Sequence, residues 1–463
     1  MKHNRIKDLL KQESITQPQV NIKGWVKTAR HSKEFSFLDI SDGSCFHDMQ
    51  VVASESLENY KSEISKLKTG CSVSIHGTLV ESPGKEQKYE IQASKIEVVG
   101  WVDDDYPLQK KRHSFEFLRT IAHLRGRTNT LGAMLRVRNA AARAIHNFFQ
   151  EKGFIYLHAP IITASDCEGA GQMFRVSVLD PKNPPLTENG NVDFSKDFFG
   201  KQSFLTVSGQ LEGETAALAL SNIYTFGPTF RAENSNTARH VAEFWMIEPE
   251  MAFCDIFGNM DMAEEFLKYI AKSVWQACPD DLQFFQKMLY PDLFKNLEGI
   301  IQEPFARITY TEAIDILLKS QKTFEYPIAW GKDMQSEHER FLTEECFKKP
   351  VIVTDYPKDI KAFYMYLNDD NKTVRGMDVL VPKTGEVIGG SQREDRIDVL
   401  KKRMEEMHLS QEAYWWYLDL RRYGSVPHAG FGMGFERFIL FITGIQNIRE
   451  AIPFPRVPGY AEF

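Results

Sequence analysis

Apolar and polar residues alternate with period two through the N-terminal part of the chain. VNIKGWVKTAR, FSFLDISDG, FHDMQVVA, CSVSIHGTLVES and YEIQASKIEVVG are short runs of this kind, separated by Gly, Ser, Asp and Pro. This alternation predicts strands with one buried face. Leu57–Leu67 predicts a helical interruption among them. From Asp103 to Arg127 the periodicity fades and the charge turns basic, which predicts a hinge. The pattern then changes to helical spacing. Met134, Val137, Ala141, Ile145 and Phe148 form one stripe over Asn129–Lys152, ended by Gly153. FIYLHAPIIT predicts a strand, SFLTVSGQLEGETAALALS a strand, turn and helix, and Ile223–Glu233 and Glu243–Phe253 a pair of strands. Met260–Ala277 and Thr311–Lys319 predict helices. VIVTDYP, AFYMYLN, RGMDVLVP and GEVIGGSQRE predict further strands, and Gln392–Trp416 is mostly helical in pattern.

These elements predict a multidomain α+β protein. Five short strands with one helical interruption suggest an OB-fold barrel over residues 1–102. A hinge over 103–128 and a larger α+β domain over 129–463 follow. Pro181–Gly200, rich in Pro, Asn and Gly, and the region near 280–350 read as insertions.

Composition narrows the setting. A chain of 463 residues is long enough for two or three domains with full cores. The sequence has no apolar run of about 18 residues, so no membrane span is expected. Six cysteines stand apart with no CxxC pair, which argues against a zinc knuckle or disulfide framework and fits a reducing cytoplasm. A net charge of −7 gives no global attraction to nucleic acid, so RNA binding would need local basic patches. One such patch is legible: Lys23, Lys27, Arg30 and Lys33 lie near Phe35 and Phe37. Charge for phosphates and rings for unstacked bases make a single-stranded RNA platform. The same phenylalanines would equally serve as core, and one of the two is expected to.

Two stretches carry candidate chemistry. Phe230–Phe253 packs Arg231, Arg239, His240 and four glutamates between apolar runs. On adjacent strands Arg231 and Glu233 would share a face, as would Phe244, Met246, Glu248 and Glu250. An arginine fork suits phosphate or carboxylate and an aromatic face suits a base. A solvated sheet face crossed by salt bridges fits the same residues. The second stretch, PHAGFGMGFERFILFITG, alternates glycine and then starts a helix at Phe435 with Arg437 in its first turn. Glycines permit close backbone approach, and a helix N-terminus with an arginine is an anion site. The spacing matches neither a P-loop nor a dinucleotide fingerprint.

In order along the chain, these residues resemble the class II aminoacyl-tRNA synthetases of the aspartyl/asparaginyl/lysyl subgroup. The helix and strand ending at Pro160 resemble motif 1, FRAE with RHVAEF resembles motif 2, and GMGFERF resembles motif 3. The N-terminal barrel resembles the subgroup's anticodon-binding domain. SDCEGAGQMFRV, SGQLEGE, WGKDMQSEHERFL, TDYPKDIKAFYM and GEVIGGSQRED are similar to the bacterial asparaginyl members. Aspartyl members usually carry a lysine where Gly213 stands and an aspartate where Glu248 stands. The resemblance implies a class II antiparallel sheet flanked by helices.

The resemblance also implies roles. Arg231 clamps the α-phosphate of ATP and the substrate carboxylate, and Glu233 accepts from the adenine amine. Phe244 lies under adenine, with Arg437 stacked on its other side and reaching the γ-phosphate; Arg231 and Arg437 are thus the implied catalytic pair. Arg239 and His240 stand where pyrophosphate leaves. Glu386 is the implied Mg2+ ligand; the usual serine three residues on is Gly389 here, which leaves the second ligand unassigned. Glu168 and Gln210 bind the ammonium of asparagine, while Glu248 and Arg393 read its side-chain amide. Phe37 and Gln50, with Arg30 beside them, contact the middle anticodon base. Read without the resemblance, Glu168 would cap a turn, Gln50 would be a sheet-edge amide and Arg393 would pair with Glu394 or Asp395. The implied activity joins L-asparagine to tRNA(Asn) at the cost of ATP in a cytoplasmic homodimer. The alternatives are an aspartyl enzyme of relaxed specificity and an adenylate-forming amide ligase that makes asparagine.

Overall fold

A computed structural model describes residues 3–84, 87–167, 173–235 and 237–463. The chain divides into two compact units: Met1–Val137 with Cys278–Phe284 and Phe463, and Arg138–Ala277 with Phe285–Glu462.

In the first unit the alternating runs close into a barrel. Its strands are β1 (Gln19–His31), β2 (Phe35–Ser41), β3 (Met49–Ser54), β4 (Ser72–Glu81) and β5 (Tyr89–Gly100), in the order β1-β2-β3-β5-β4. Only β3 and β5 run parallel. Ile22, Val26, Leu38, Ile40, Val51, Ile75 and Ile91 fill the interior, and the short helix Ile6–Leu10 adds Ile6 and Leu9. Side-chain parity corrects one expectation. On β2 the inward residues are Ser36, Leu38 and Ile40, so Phe35 is exposed and Phe37 half-buried on the outer face; neither is core. The expected helix over 57–67 is also absent. That stretch is turns with one 3-10 turn, Ile64–Lys66, because Tyr60 and Ile64 already reach the barrel core without a full helix. The stretch expected as a hinge holds the short helices Phe115–Thr120 and Ala122–Arg125.

The second unit is built on one sheet. Its strands are β6 (Ile155–Tyr156), then β10 (Asn222–Phe230), β11 (Glu243–Ala252), β12 (Ala306–Thr309), β13 (Val351–Pro357), β14 (Thr373–Val381), β15 (Gly385–Gln392) and β16 (His428–Gly434). Between β6 and β10 in sequence, β7 (Ile162–Thr163), β8 (Arg175–Val176) and β9 (Ser203–Leu205) form a separate small sheet. The main sheet runs β12-β13-β14-β15-β16-β11-β10-β6, antiparallel throughout its middle with a short parallel strand at each edge. FIYLHAPIIT is thus split between two sheets around Pro160, which cannot donate to a ladder. AFYMYLN makes only the isolated bridges at Met365 and Leu367. The region near 280–350 contributes β12 to the main sheet, besides several helices.

Helices cover the sheet. Asn129–Glu151 and Ile256–Ala277 meet through Phe148, Phe149 and Phe266, with Phe149 stacked on Tyr224 of β10 at 4.7 Å. Glycines let the middle strands mesh. A Cβ on Gly430 would strike the Glu250 carboxylate, and one on Gly432 would stand 2.7 Å from Met246 Cε. These two glycines make room for side chains of β11. No helix among the described residues is long and apolar enough to cross a membrane.

Candidate active site

β11 sits beside β16 and β10, so its alternate residues Phe244, Met246, Glu248 and Glu250 line one face at the middle of the sheet. β10 ends at Phe230, which puts Arg231 and Glu233 just past the strand rather than on it. Arg231 keeps one ladder-like bond, its N–H donating to the Ala242 carbonyl at 3.0 Å. The connecting loop folds back over the face. One cleft, about 840 Å³ including its open mouth, is lined by Arg231, Glu233, Arg239, His240 and Phe244, and by Glu386 and Arg437 from β15 and the helix Phe435–Thr443. All seven residues expected around ATP therefore border a single space.

The first turn of the Phe435–Thr443 helix is anchored on both sides. Glu436 accepts from the Trp245 N–H at 3.0 Å and pairs with Arg138 of the long helix at 2.8 Å. Its neighbour Arg437 is thereby aimed at Glu386, donating to the carboxylate at 3.1 Å and the carbonyl at 3.3 Å. Burial alone would raise the Glu386 carboxyl, but Arg437 and Lys361 outweigh it and hold it below its ordinary value. Arg231 lies 5.5 Å from the Phe244 ring centroid. Burial lowers the His240 imidazole, and Arg437 lowers it further. Its Nδ1 faces the hydroxyls of Thr237 at 2.5 Å and Ser235 at 3.2 Å. Arg239 donates to the Ser336 hydroxyl of the short helix Ser336–Arg340.

Asp378 is an acidic neighbour that sequence reasoning left unassigned. It pairs across β14 and β15 with Gly389. A Cβ on Gly389 would lie 3.1 Å from Glu386 Oε1 and 3.5 Å from Asp378 Oδ1, so the two carboxylates flank the glycine. Lys361 donates to Asp378 at 2.8 Å. Glu339, from the inserted helix, accepts the Glu386 N–H at 3.2 Å; burial and the adjacent Glu386 push its carboxyl up to about 7. Among the described residues no group of three or more His, Cys, Asp or Glu could hold a metal ion unaided.

Deeper along the same face, Glu248 and Arg393, the two residues expected to read the asparagine amide, each hold separate partners. Glu248 receives Ser208 Oγ, the Gly209 N–H at 3.0 Å and Thr225 Oγ1 at 2.8 Å. Arg393 instead forks onto Glu250, with Nε 3.1 Å from Oε2, and also donates to Ser391 Oγ at 2.8 Å. Glu250 lies two residues on, on the same face, and Arg393 enters from the end of β15 beside it. Its bonds run neither to Glu394 nor to Asp395. Burial, Glu214 and Glu248 raise the Glu250 carboxyl while Arg393 pulls it back. Behind the pair lies a buried network: Glu214 accepts from Tyr417 and Arg421 at 2.8 Å, and stands 3.0 Å from His428 Nε2. Gln210 turns its amide to Glu214 at 3.0 Å. Glu168 lies outside the described residues. Gly213 faces Glu250, since a Cβ there would meet Glu250 Cγ at 3.3 Å.

On the barrel, Arg30 and Phe37 are cross-strand partners, with the guanidinium 5.8 Å from the ring centroid. Gln50 donates to Glu90 at 2.9 Å on the neighbouring strand.

Comparison with known proteins bears on this arrangement. Residues 114–458 match the family described as tRNA synthetases class II (D, K and N), and residues 20–99 match the OB-fold nucleic acid binding domain. The asparagine–tRNA ligase of Picosynechococcus sp. is 61% identical over 460 residues, 99% of this chain and 100% of that protein. The chain belongs to the asparagine–tRNA ligase family. The family member of Acetivibrio thermocellus is 60% identical over 100% of both chains. Among solved structures, the asparaginyl-tRNA synthetase of Pyrococcus horikoshii complexed with asparaginyl-adenylate superposes with a TM-score of 0.86. It is 32% identical, covering 100% of this chain and 99% of that one. The expected fold, an OB-fold barrel plus a class II sheet with helices, is the fold observed.

Proposed function

We propose that the central cleft is where this asparagine–tRNA ligase condenses ATP with asparagine, and that the residues lining it carry the step. The asparagine α-carboxylate attacks the α-phosphorus, the bond to the β,γ-phosphates breaks, and pyrophosphate leaves. The terminal ribose hydroxyl of tRNA(Asn) then takes the acyl group from the adenylate and releases AMP. Such a reaction asks the protein for position and charge rather than for covalent chemistry. Arg231 neutralises the α-phosphate and the attacking carboxylate, Phe244 and Arg437 sandwich adenine, Glu233 accepts from its amine, and Arg239 and His240 meet the departing phosphates. Glu248, Arg393 and Gln210, with Glu250 holding the arginine, border the side of the face assigned to asparagine. Magnesium, when bound, would supply positive charge to offset the charge developing on the phosphates. Glu386 and Asp378 would hold it, in keeping with a cation that needs only one or two carboxylates beside its phosphates.

The observation that supports this reading most is the convergence on one cleft of the seven residues that the family resemblance implies around ATP. We further assign the anticodon contact to Arg30, Phe37 and Gln50. We also assign a homodimer through the exposed Ile155, Tyr156, Ile161 and Ile162, which surround Pro160. A reducing cytoplasm suits six free thiols. The test is ATP–pyrophosphate exchange driven by asparagine or by aspartate. Arg231→Ala is expected to lower the asparagine rate by about 10²–10³, the cost of one lost charge-stabilising group. Exchange driven equally by aspartate, or an unaltered Arg231→Ala, would overturn the assignment.

A further inference from the structure

A second cleft, about 880 Å³ including its mouth, shares Arg239 and Arg437 with the nucleotide cleft and extends away from it. Its outer walls carry Arg340 of the inserted helix, Lys383 of the β14–β15 turn, and the side chains of Ser336 and Thr384. We propose that this cleft is the departure site for pyrophosphate, with Arg340 and Lys383 as its outer cations. The proposal rests on the reading of the central cleft as the ATP site.

The charge balance favours a polyanion. Four cationic side chains border the cleft. Arg437 is paired with Glu386 at 3.1 Å and Lys383 with Glu344 at 3.2 Å. Arg239 and Arg340 form no ion pair among the described residues: Arg239 rests on the Ser336 hydroxyl, and Arg340 donates to the Ser336 carbonyl at 3.3 Å. Glu339 and Glu386 act on Arg239 through space, but neither guanidinium is tied into an ion pair, which leaves both able to receive phosphate oxygens. The geometry also gives a direction. Arg239 and Arg437 belong to both clefts, so a polyphosphate group released from the α-phosphorus keeps two of its cations while it gains Arg340 and Lys383. Overlapping cations let the leaving group move outward without a fully uncompensated stage.

The test uses the full-length enzyme and inorganic pyrophosphate. Arg340→Ala, Lys383→Ala and the double variant are assayed for pyrophosphorolysis of the enzyme-bound adenylate over a range of pyrophosphate concentrations. ATP and asparagine KM values come from tRNA charging. The double variant is expected to raise the KM for pyrophosphate about tenfold, as the combined loss of two modest charge–charge attractions would, and to weaken inhibition by methylenediphosphonate in step. The KM values for ATP and asparagine are expected to stay within about twofold, and Arg340→Lys to restore most of the pyrophosphate affinity. A pyrophosphate KM unchanged in the double variant, in an enzyme whose wild type exchanges normally, overturns this inference alone. Equal rises for ATP and pyrophosphate overturn it too, because they would make Arg340 and Lys383 part of the nucleotide site. A wild type without asparagine-dependent exchange overturns the underlying reading and this inference together.

Discussion

The imidazole of His240 is held below its ordinary value by burial and by Arg437, so near pH 7 it is neutral. Phosphate placed beside it favours the charged form, so ATP binding takes up a proton there. ATP affinity is therefore expected to tighten as the pH falls from about 7.5 to about 6, around the ordinary histidine value, and His240→Asn to lose that part of the slope. Titration of ATP itself enters both profiles equally. Parallel pH profiles of ATP dissociation constants in the two proteins would remove His240 from the site. Asparagine and aspartate differ in charge and in one pair of donors, so specificity is also settled by single side chains. Glu248 already receives three donors, and Glu250 holds the Arg393 fork. Glu248→Gln must turn an NH2 group toward those donors, and is expected to lose most asparagine activation while its preference over aspartate narrows. Glu250→Gln strips the partner from a buried arginine, with a cost of about 3–5 kcal/mol visible as a lower melting temperature. The ratio of exchange rates per unit affinity for the two amino acids separates the effects. An unchanged ratio in Glu248→Gln with a changed one in Glu250→Gln transfers the amide-reading role to the Glu250–Arg393 pair.

At the scale of elements, side-chain parity decides what each strand can do. On β2 the buried positions are Ser36, Leu38 and Ile40, which leaves Phe37 on the outside of the barrel beside Arg30. Removing an outer ring should cost little stability, whereas stacking on one base is worth about 1–3 kcal/mol. Phe37→Ala is thus expected to raise the KM for tRNA and leave asparagine-dependent pyrophosphate exchange and the melting temperature in place. Loss of exchange together with charging would show that the ring supports the fold instead. The helix Phe435–Thr443 illustrates the same dependence on neighbours. Its start at Phe435 is legible in the sequence, but the aim of Arg437 comes from Glu436, clamped by Arg138 and the Trp245 N–H.

For the whole molecule, the exposed apolar residues around Pro160 bear on assembly. Ile155, Tyr156, Ile161 and Ile162 are each 40% exposed or more, and exposed apolar side chains gathered in one short segment suit a contact surface. A dimer mass in sedimentation at micromolar concentration is expected, with Ile161→Asp shifting it toward monomer. A fully active monomer would refute the two-fold assembly. The sequence by itself determined the period-two strands of the barrel, the long amphipathic helix over Asn129–Glu151 and the helix at Phe435, while the membership of the cleft was legible through the family resemblance of its motifs. Each of these rests on local periodicity or on a short ordered motif, and both survive without knowledge of distant neighbours. Tertiary structure alone decided the rest. Pairing of β14 with β15 set Asp378 across from Gly389, and the inserted segment brought Ser336, Glu339 and Arg340 to the cleft from a distance in sequence. The choice of Glu250 over Glu248 for Arg393 was equally beyond local pattern, because both glutamates share one face. Only the meeting of β15, β16 and β11, with the space opened at Gly430, determined which carboxylate the arginine reaches.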